Sequence, residues 1–412
     1  MLSLTRRQAE AISNAQKYPV CIWYGSVRAS KTHAAIWDFV RFMSDRAQGK
    51  VPSEGAALIV GYSTNTVWRN YFVPIMSNEA FKQVAPYLKY NQNATTGTLF
   101  GQEFSVVGAS NESSWMNIQG MTVAYANGDE AVSWPKSFWD MLMSRLSLPY
   151  SRCVVTCNPG SSNHYLKALL DSSDPDIHGE RFLISENTTL PTSYVERTKR
   201  MYTGLFYRRM ILAEWVAAEG AIYESWDQEK MVQPRKDGTV IAVGIDYGTN
   251  HPSAGYALSS TPDGLQITHE WSPQTSGLGG RTRLTDSELA DSLQEWLETL
   301  PNKPKGLYID PAAASFHEEL RRRRVRTVKA DNSVVDGIRQ VDSLLTSGML
   351  TIAKDCPKLI EEIPGYRWDT KAADRGKDAP VKENDDHCDG MRYAVYSSRH
   401  LWGRHVESLR RS

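Results

Sequence analysis

Cysteine is scarce in this chain and unpatterned: five residues at positions 21, 153, 157, 356 and 388, with no CxxC pair. That spacing suggests neither a disulfide framework nor a zinc site, and reduced, mostly buried thiols are expected. Net charge is lacking too, since 47 basic residues face 47 acidic ones. Overall charge therefore gives no reason to expect nucleic acid, and any such contact has to come from local patches. No stretch reaches the roughly 18 apolar residues that span a bilayer, and the opening MLSLTRRQAEAIS has no signal-like apolar run. A cytosolic protein without a membrane partner is the expectation. There is no internal repeat or low-complexity segment.

What is present is an ordinary globular composition, 41% hydrophobic and 23% charged, over 412 residues. That length suits two domains. Short β-rich runs at 19–25, 56–62, 121–126, 152–157 and 181–185 alternate with helical stretches such as PKSFWDMLMSRL, which predicts an α/β domain over 1–215 with a mostly parallel sheet and flanking helices. A polar stretch at 216–238 reads as a linker. Over 239–412, strands are expected at 239–247, 253–259, 264–271, 306–310 and in VRTVKA, with helices near 285–299, 314–323, 333–346 and 386–398. A three-strand meander followed by alternating strands and helices is the order of an RNase H-like fold.

Gly25 to Thr32, GSVRASKT, follow a strand and open a helix, as a phosphate loop must. Gly25, Ser26 and the rest of the loop would turn backbone N–H groups toward phosphates, Lys31 would reach the β and γ oxygens, and the Thr32 hydroxyl would hold Mg²⁺. Ser30 stands where the pattern has its second glycine, and a Cβ there resists positive φ. Alone, the match also admits an ordinary strand-to-helix turn. Arg28 is either a surface charge or a phosphate donor. Downstream, NGDEA places Asp129 and Glu130 beyond an apolar run, where one acid can hold the Mg²⁺ hydration shell and the other polarise water. An acidic turn after Asn127-Gly128 is the plainer reading. TCNPG, with Asn158, ends the next run where a γ-phosphate sensor would sit, and Gln8 in LTRRQ precedes the first strand, where its amide could read an adenine edge or simply be solvated.

In the second half, Asp246 ends an apolar strand in GIDYG, Asp310 ends another in GLYID, and Asp385, Asp386, His387 and Asp389 open the last helix. Three separated carboxylates can hold two divalent ions for phosphodiester hydrolysis, with Mg²⁺ and Mn²⁺ equally suited to oxygen ligands. Each acid alone could be a cap or a turn residue. Asp386 and Asp389, three apart, should share a helix face, with Asp385 pointing away. His387 could orient a metal-bound water or serve the fold, and Glu270 is a weaker fourth acid. Arg321 to Arg326, with Lys329 beyond, is either a solvated face or a phosphate-tracking patch.

Taken together, LTRRQ, GSVRASKT, NGDEA, TCNP and RRMILAEWVAAEGAIY in the first half, and GIDYG, YIDPAAASF, KADN and NDDHCDGMRYAVY in the second, resemble the large subunit of tailed-phage terminases. The resemblance covers nearly the whole chain. It implies a P-loop ATPase domain that packages double-stranded DNA into a procapsid and an RNase H-like endonuclease that cuts the concatemer. It further implies that Lys31, Thr32 and Asp129 bind ATP and Mg²⁺, that Glu130 activates water, and that Arg28 acts on phosphates of its own or a neighbouring subunit. Asp246, Asp310 and Asp389 would ligate the nuclease metals, with Asp386 and His387 as further candidates. It also implies a homo-oligomeric ring, expected as a pentamer, on the portal protein. A small subunit would recognise the viral DNA, and the complex would reside in the host cytoplasm, absent from the mature virion. A helicase-nuclease of repair or recombination would share both chemistries, but it needs a second motor core, and here the second half is spent on the acidic cluster. A nucleotide-binding scaffold component would not need the Asp129-Glu130 pair.

Overall fold

Apolar runs that are covered on both faces become central parallel strands, and four of the chain's most apolar segments do so here. The computed structural model describes residues 4–248, 252–273 and 284–409. One unit comprises the chain up to Lys199 with Leu205–Ala217, and the other Arg200–Gly204 with everything from Ala218 on.

The first unit is built on β1 (Val20–Gly25), β2 (Ala56–Gly61), β3 (Leu88–Asn91), β4 (Thr96–Leu99), β5 (Gln102–Gly108), β6 (Val123–Gly128), β7 (Arg152–Cys157) and β8 (Ile177–Phe182). They form one sheet in the order β3-β4-β5-β2-β6-β7-β1-β8, parallel except where β3, β4 and β5 pair antiparallel at one edge. Alternation along β1 sends Cys21 and Trp23 to one face and Val20 and Ile22 to the other. On the first face the helix Lys31–Ala47 buries Phe39, Phe42 and Met43, and Phe42 stacks on Tyr125 at 4.2 Å between ring centroids. On the second, the helix Lys136–Arg145 buries Phe138, Trp139 and Leu142. Burying each such side chain stabilises the fold by about 1.5–3 kcal/mol.

The second unit contains β9 (Val232–Gln233), β10 (Thr239–Asp246), β11 (Ala254–Thr261), β12 (Gly264–Trp271), β13 (Gly306–Ile309), β14 (Val328–Lys329) and β15 (Leu350–Ala353). The order is β14-β13-β10-β11-β12-β15-β9. β10, β11 and β12 form the antiparallel meander, while β13 runs parallel to β10 and β15 parallel to β12. This is an α/β protein whose two sheets match the P-loop-like and RNase H-like expectations. Residues 228–233, inside the stretch read as linker, form a helical turn and β9, which extends this sheet. VRTVKA yields only the two-residue β14. Part of the turn after Asp246, residues 249–251, lies outside the described residues.

The helix Asp386–Ser397 lies directly on β10 because Gly244 and Gly390 carry no side chain. A Cβ on Gly244 would meet Ala394 N at 2.1 Å and Gly390 O at 2.5 Å. That close approach sets the helix start beside the end of β10. No helix among the described residues is long and apolar enough to cross a membrane.

Candidate active sites

The phosphate-loop residues connect β1 to the helix Lys31–Ala47, whose N-terminus points the free N–H groups and positive dipole end toward the loop. Arg28 and Ser30 both adopt left-handed backbone, with φ of 56° and 65°. Ser30 thus takes the conformation its Cβ disfavours, a strain of about 1–3 kcal/mol, and its hydroxyl donates to Ala29 O at 2.6 Å. Gly25 is required by packing instead, since a Cβ there would lie 2.0 Å from Phe182 O. The loop is braced from behind: Ser26 Oγ donates to Ile211 O (2.7 Å) and Val27 N to Met210 O (2.8 Å). Ser26 is fully buried and its N–H donates to Phe182 O (2.9 Å), so, contrary to expectation, neither its N–H nor that of Val27 is turned toward phosphate: both are spent fixing the loop to its neighbours.

Lys31, 8% exposed, donates from Nζ to Gly25 O (3.1 Å), Ser26 O (2.7 Å) and Asn158 Oδ1 (3.0 Å). Burial pushes its ammonium down to about 8, partly offset by Cys157 and Asp129. Asp129 is 7% exposed. Its Oδ1 accepts from Thr32 Oγ1 (3.1 Å) and Thr156 Oγ1 (2.5 Å), and its Oδ2 from Asn70 Nδ2 (2.8 Å). Asn127 and Gly128 extend β6 rather than turning, Gly128 packing under Trp134, so the Asp-Glu pair sits beyond a strand end and not in an acidic turn. Glu130 is exposed, with φ of 57°. Arg28 points an exposed side chain outward while its carbonyl accepts from Asn187 Nδ2 at 2.8 Å.

Gln8 is placed differently from a free adenine reader. It is 2% exposed, its Oε1 accepts from Thr5 N (2.8 Å), and its Nε2 lies 3.3 Å from Ser30 O and 3.2 Å from His33 Nδ1. An adenine contact would require these bonds to be exchanged.

The second site gathers at the ends of β10 and β13 and the start of the helix Asp386–Ser397. Asp246 is pushed up to about 8, first by burial and then by Asp389, Asp310 and Asp386, with Lys382 opposing. The negative charges of three further carboxylates thus bear on Asp246. Asp310 N donates to Ile245 O (3.1 Å), and its Oδ1 also closes a turn by accepting from Ala312 N (2.9 Å). Asp389, 5% exposed, accepts from Arg392 Nη2 (3.0 Å) and Tyr366 Oη (3.3 Å) on Oδ1, and from Lys382 Nζ (3.1 Å) on Oδ2. Among the described residues no three His, Cys, Asp or Glu side chains stand close enough to grip one ion. The all-oxygen donor set nonetheless suits a hard divalent cation, whose binding would release the proton that the partly buried Asp246 holds.

Three expectations shift. Asp385 does not point away: Lys382 Nζ bonds its Oδ2 (2.7 Å) and Asp389 Oδ2 together. The cause is that Asp385 caps the helix four residues before Asp389, whose N–H donates to Asp385 O (2.8 Å), and residues four apart share a helix face just as those three apart do. His387 Nδ1 bonds Tyr256 Oη (2.6 Å), and burial lowers it to about 4, leaving a neutral ring at pH 7. Glu270 accepts from Lys358 N, Leu359 N (3.1 Å each) and Tyr256 Oη (3.0 Å), so its oxygens cap the helix Pro357–Glu362. The basic run is largely neutralised at its start, where Arg321 and Arg322 pair with Glu318, and Arg323 pairs with Glu319 and Asp291.

Comparison with known proteins places the chain as a whole among phage terminases. The large terminase of a thermophilic bacteriophage is 30% identical to this chain, covering 97% of it and 99% of that protein at a TM-score of 0.86. This chain belongs to the phage large terminase family. The same phage's terminase in complex with ADP matches at 29% identity and a TM-score of 0.87, and in complex with ATP-γ-S at 29% and 0.85, covering 97% of this chain and 100% of that one in each case. The family model of the terminase RNase H-like domain matches residues 243–397, which include Asp246, Asp310 and Asp389. The large terminase subunit of Escherichia phage T5 is 22% identical over 282 residues, 63% of this chain, and the match spans 61% of that protein's length.

Within this terminase-family chain, sequence reasoning misses Asn70, Lys382, Tyr366 and Arg392. Asn70 lies on a π-helical turn, Trp68–Phe72, a widening common at functional sites. Arg392 lies inside the NDDHCDGMRYAVY motif without being singled out there, and Lys382 and Tyr366 stand outside every motif and become visible only through the carboxylate they satisfy.

Proposed function

We propose that this chain is the motor and nuclease of viral DNA packaging. ATP hydrolysis in the first unit drives double-stranded DNA into a procapsid, and a metal-dependent endonuclease in the second unit cuts the concatemer to start and end packaging. The observation that carries this reading is that one chain holds two separate carboxylate sites: Asp129 bonded to Thr32 beside a phosphate-type loop, and Asp246 at a strand end under the charge of Asp389, Asp310 and Asp386.

In the first site Lys31 holds the β and γ phosphates, and Thr32 with Asp129 holds Mg²⁺ through the bond they now share. Glu130 orients the attacking water, and Asn158, already bonded to Lys31, senses the γ-phosphate. Arg28, exposed on a strained backbone, stabilises phosphate charge in its own or a neighbouring subunit. Gln8 supports the adenine side of the loop through Ser30. In the second site two Mg²⁺ or Mn²⁺ ions would supply charge neutralisation and an activated water for phosphodiester hydrolysis. Asp246, Asp310 and Asp389 would hold them, Asp386 assisting, with His387 positioned through Tyr256. The working assembly is a ring, a pentamer, docked on the portal protein in the host cytoplasm and supplied with DNA by a small subunit. It leaves before the virion matures.

The test is ATP turnover and plasmid cleavage by the full chain with Mg²⁺ or Mn²⁺. Lys31→Ala should lower ATP turnover by about two orders of magnitude or more and leave cleavage intact, while Asp246→Asn should do the reverse. Full ATPase activity in Lys31→Ala would refute the loop assignment.

A further inference from the structure

Asp389 is bonded by two cations of opposite character. The Arg392 side chain is 1% exposed, and its Nη2 lies 3.0 Å from Asp389 Oδ1. Buried this deeply against a fixed carboxylate, it cannot leave without exposing an unpaired charge. Lys382 is the contrary case. Its side chain is 63% exposed, it stands in a stretch without regular secondary structure, and its Nζ reaches Asp389 Oδ2 (3.1 Å) and Asp385 Oδ2 (2.7 Å). A lysine ammonium is a compact point charge on a flexible stem, so it can rotate into solvent at little cost.

The consequence follows from counting lone pairs. Asp389 Oδ1 is taken by Arg392 and Tyr366, so Oδ2 is the oxygen through which this carboxylate can meet an incoming cation. Lys382 bonds that same oxygen. The two positive charges compete for one position, because two cations held on the same oxygen of a buried carboxylate repel.

We propose that Lys382 is a place-holding cation: it ties Asp385 to Asp389 when no divalent ion is bound, and it is displaced from Asp389 when one binds. It is a positioning residue, which keeps the carboxylate oxygens oriented and is released outward into solvent. The inference rests on the reading of Asp389 as a metal ligand. It differs from that reading in making the affinity of the site depend on a side chain that never touches the ion.

The experiment uses the full chain and Mn²⁺ alone. By calorimetry, Lys382→Met should bind Mn²⁺ about three- to tenfold more tightly than the parent, the range expected for removing an exposed competing ion pair, while Lys382→Arg should not. In the parent, acylation of the Lys382 amine, followed by mass spectrometry, should rise when Mn²⁺ is saturating. General loss of nearby positive charge would tighten Mn²⁺ without changing that labelling. Equal or weaker Mn²⁺ binding in Lys382→Met, or labelling that stays level or falls, overturns the proposal. If the parent fails to bind Mn²⁺ at all, the metal-site reading falls and the place-holder with it; binding without release of Lys382 removes the place-holder alone.

Discussion

Asp246→Asn should make the metal-free protein more stable, although it removes a residue on which cleavage is expected to depend. The folded chain holds the Asp246 proton up to about pH 8, because the side chain is partly buried and faces Asp389, Asp310 and Asp386, whereas the unfolded chain releases it near 3.8. A raised folded value contributes stability that is fully present below the unfolded value and lost as pH rises through the folded one. At about 1.4 kcal/mol per pH unit, the wild-type carboxyl has given up roughly 4 kcal/mol by pH 7. Partial exposure and sharing of protons among the four acids reduce this to about 2 kcal/mol. Asparagine keeps the shape and never ionises. The assay is unfolding of the full chain in EDTA from pH 5 to 8.5. The variant's advantage should grow steadily with pH and level off above about 8. With saturating Mn²⁺ the order should reverse, since the parent gains about 2.7 kcal/mol at a hundredfold excess over Kd. A variant that in EDTA is no more stable than the parent at pH 8 would refute the convergence of charge on Asp246.

Two further perturbations probe how each site is held. Asn70→Ala removes the donor to Asp129 Oδ2 at 2.8 Å and leaves Thr32 and Thr156 in place; steady-state ATPase kinetics should show kcat down about tenfold with KM little changed, and a rise in KM alone would contradict a positioning role. Gly244→Ala puts a methyl 2.1 Å from Ala394 N, so the helix bearing Asp389 must move off β10; thermal unfolding should report a loss of about 3 kcal/mol or more, and Mn²⁺ affinity should fall with it.

The legible parts of this chain are those fixed by one dimension of the sequence. β1, β6, β7, β10 and β13 are short apolar runs, and an acid closing or just past such a run stands at the carboxyl end of a strand, as Asp129, Asp246 and Asp310 do. β3 and β4 escape because they form a short edge hairpin with Lys89, Asn91 and Thr96 facing water, and β5 because its buried Phe104 and Val106 are interleaved with polar residues in too short a run to stand out. The loop is readable by pattern but not by geometry: Ser30 adopts positive φ despite its Cβ, because the surrounding strand, helix and the 205–217 segment fix the backbone on every side.

What no local pattern encodes is the partner of each acid. Asp385 and Asp389, four apart, share one helix face, and a lysine three residues before the first of them ties both together, a bond that no motif announces. Asn70 reaches Asp129 across fifty-nine residues of chain, and Tyr366 reaches Asp389 across twenty-three, whereas Arg392 meets Asp389 as an i,i+3 neighbour on one helix. Carboxylates that must accept ions are placed by strand ends, which are local, whereas the groups that keep those carboxylates satisfied in the meantime are placed by packing. A variant that strips one of these partners should therefore change affinity and pH dependence before it changes the fold, because the strand ends stay where β10 and β13 set them.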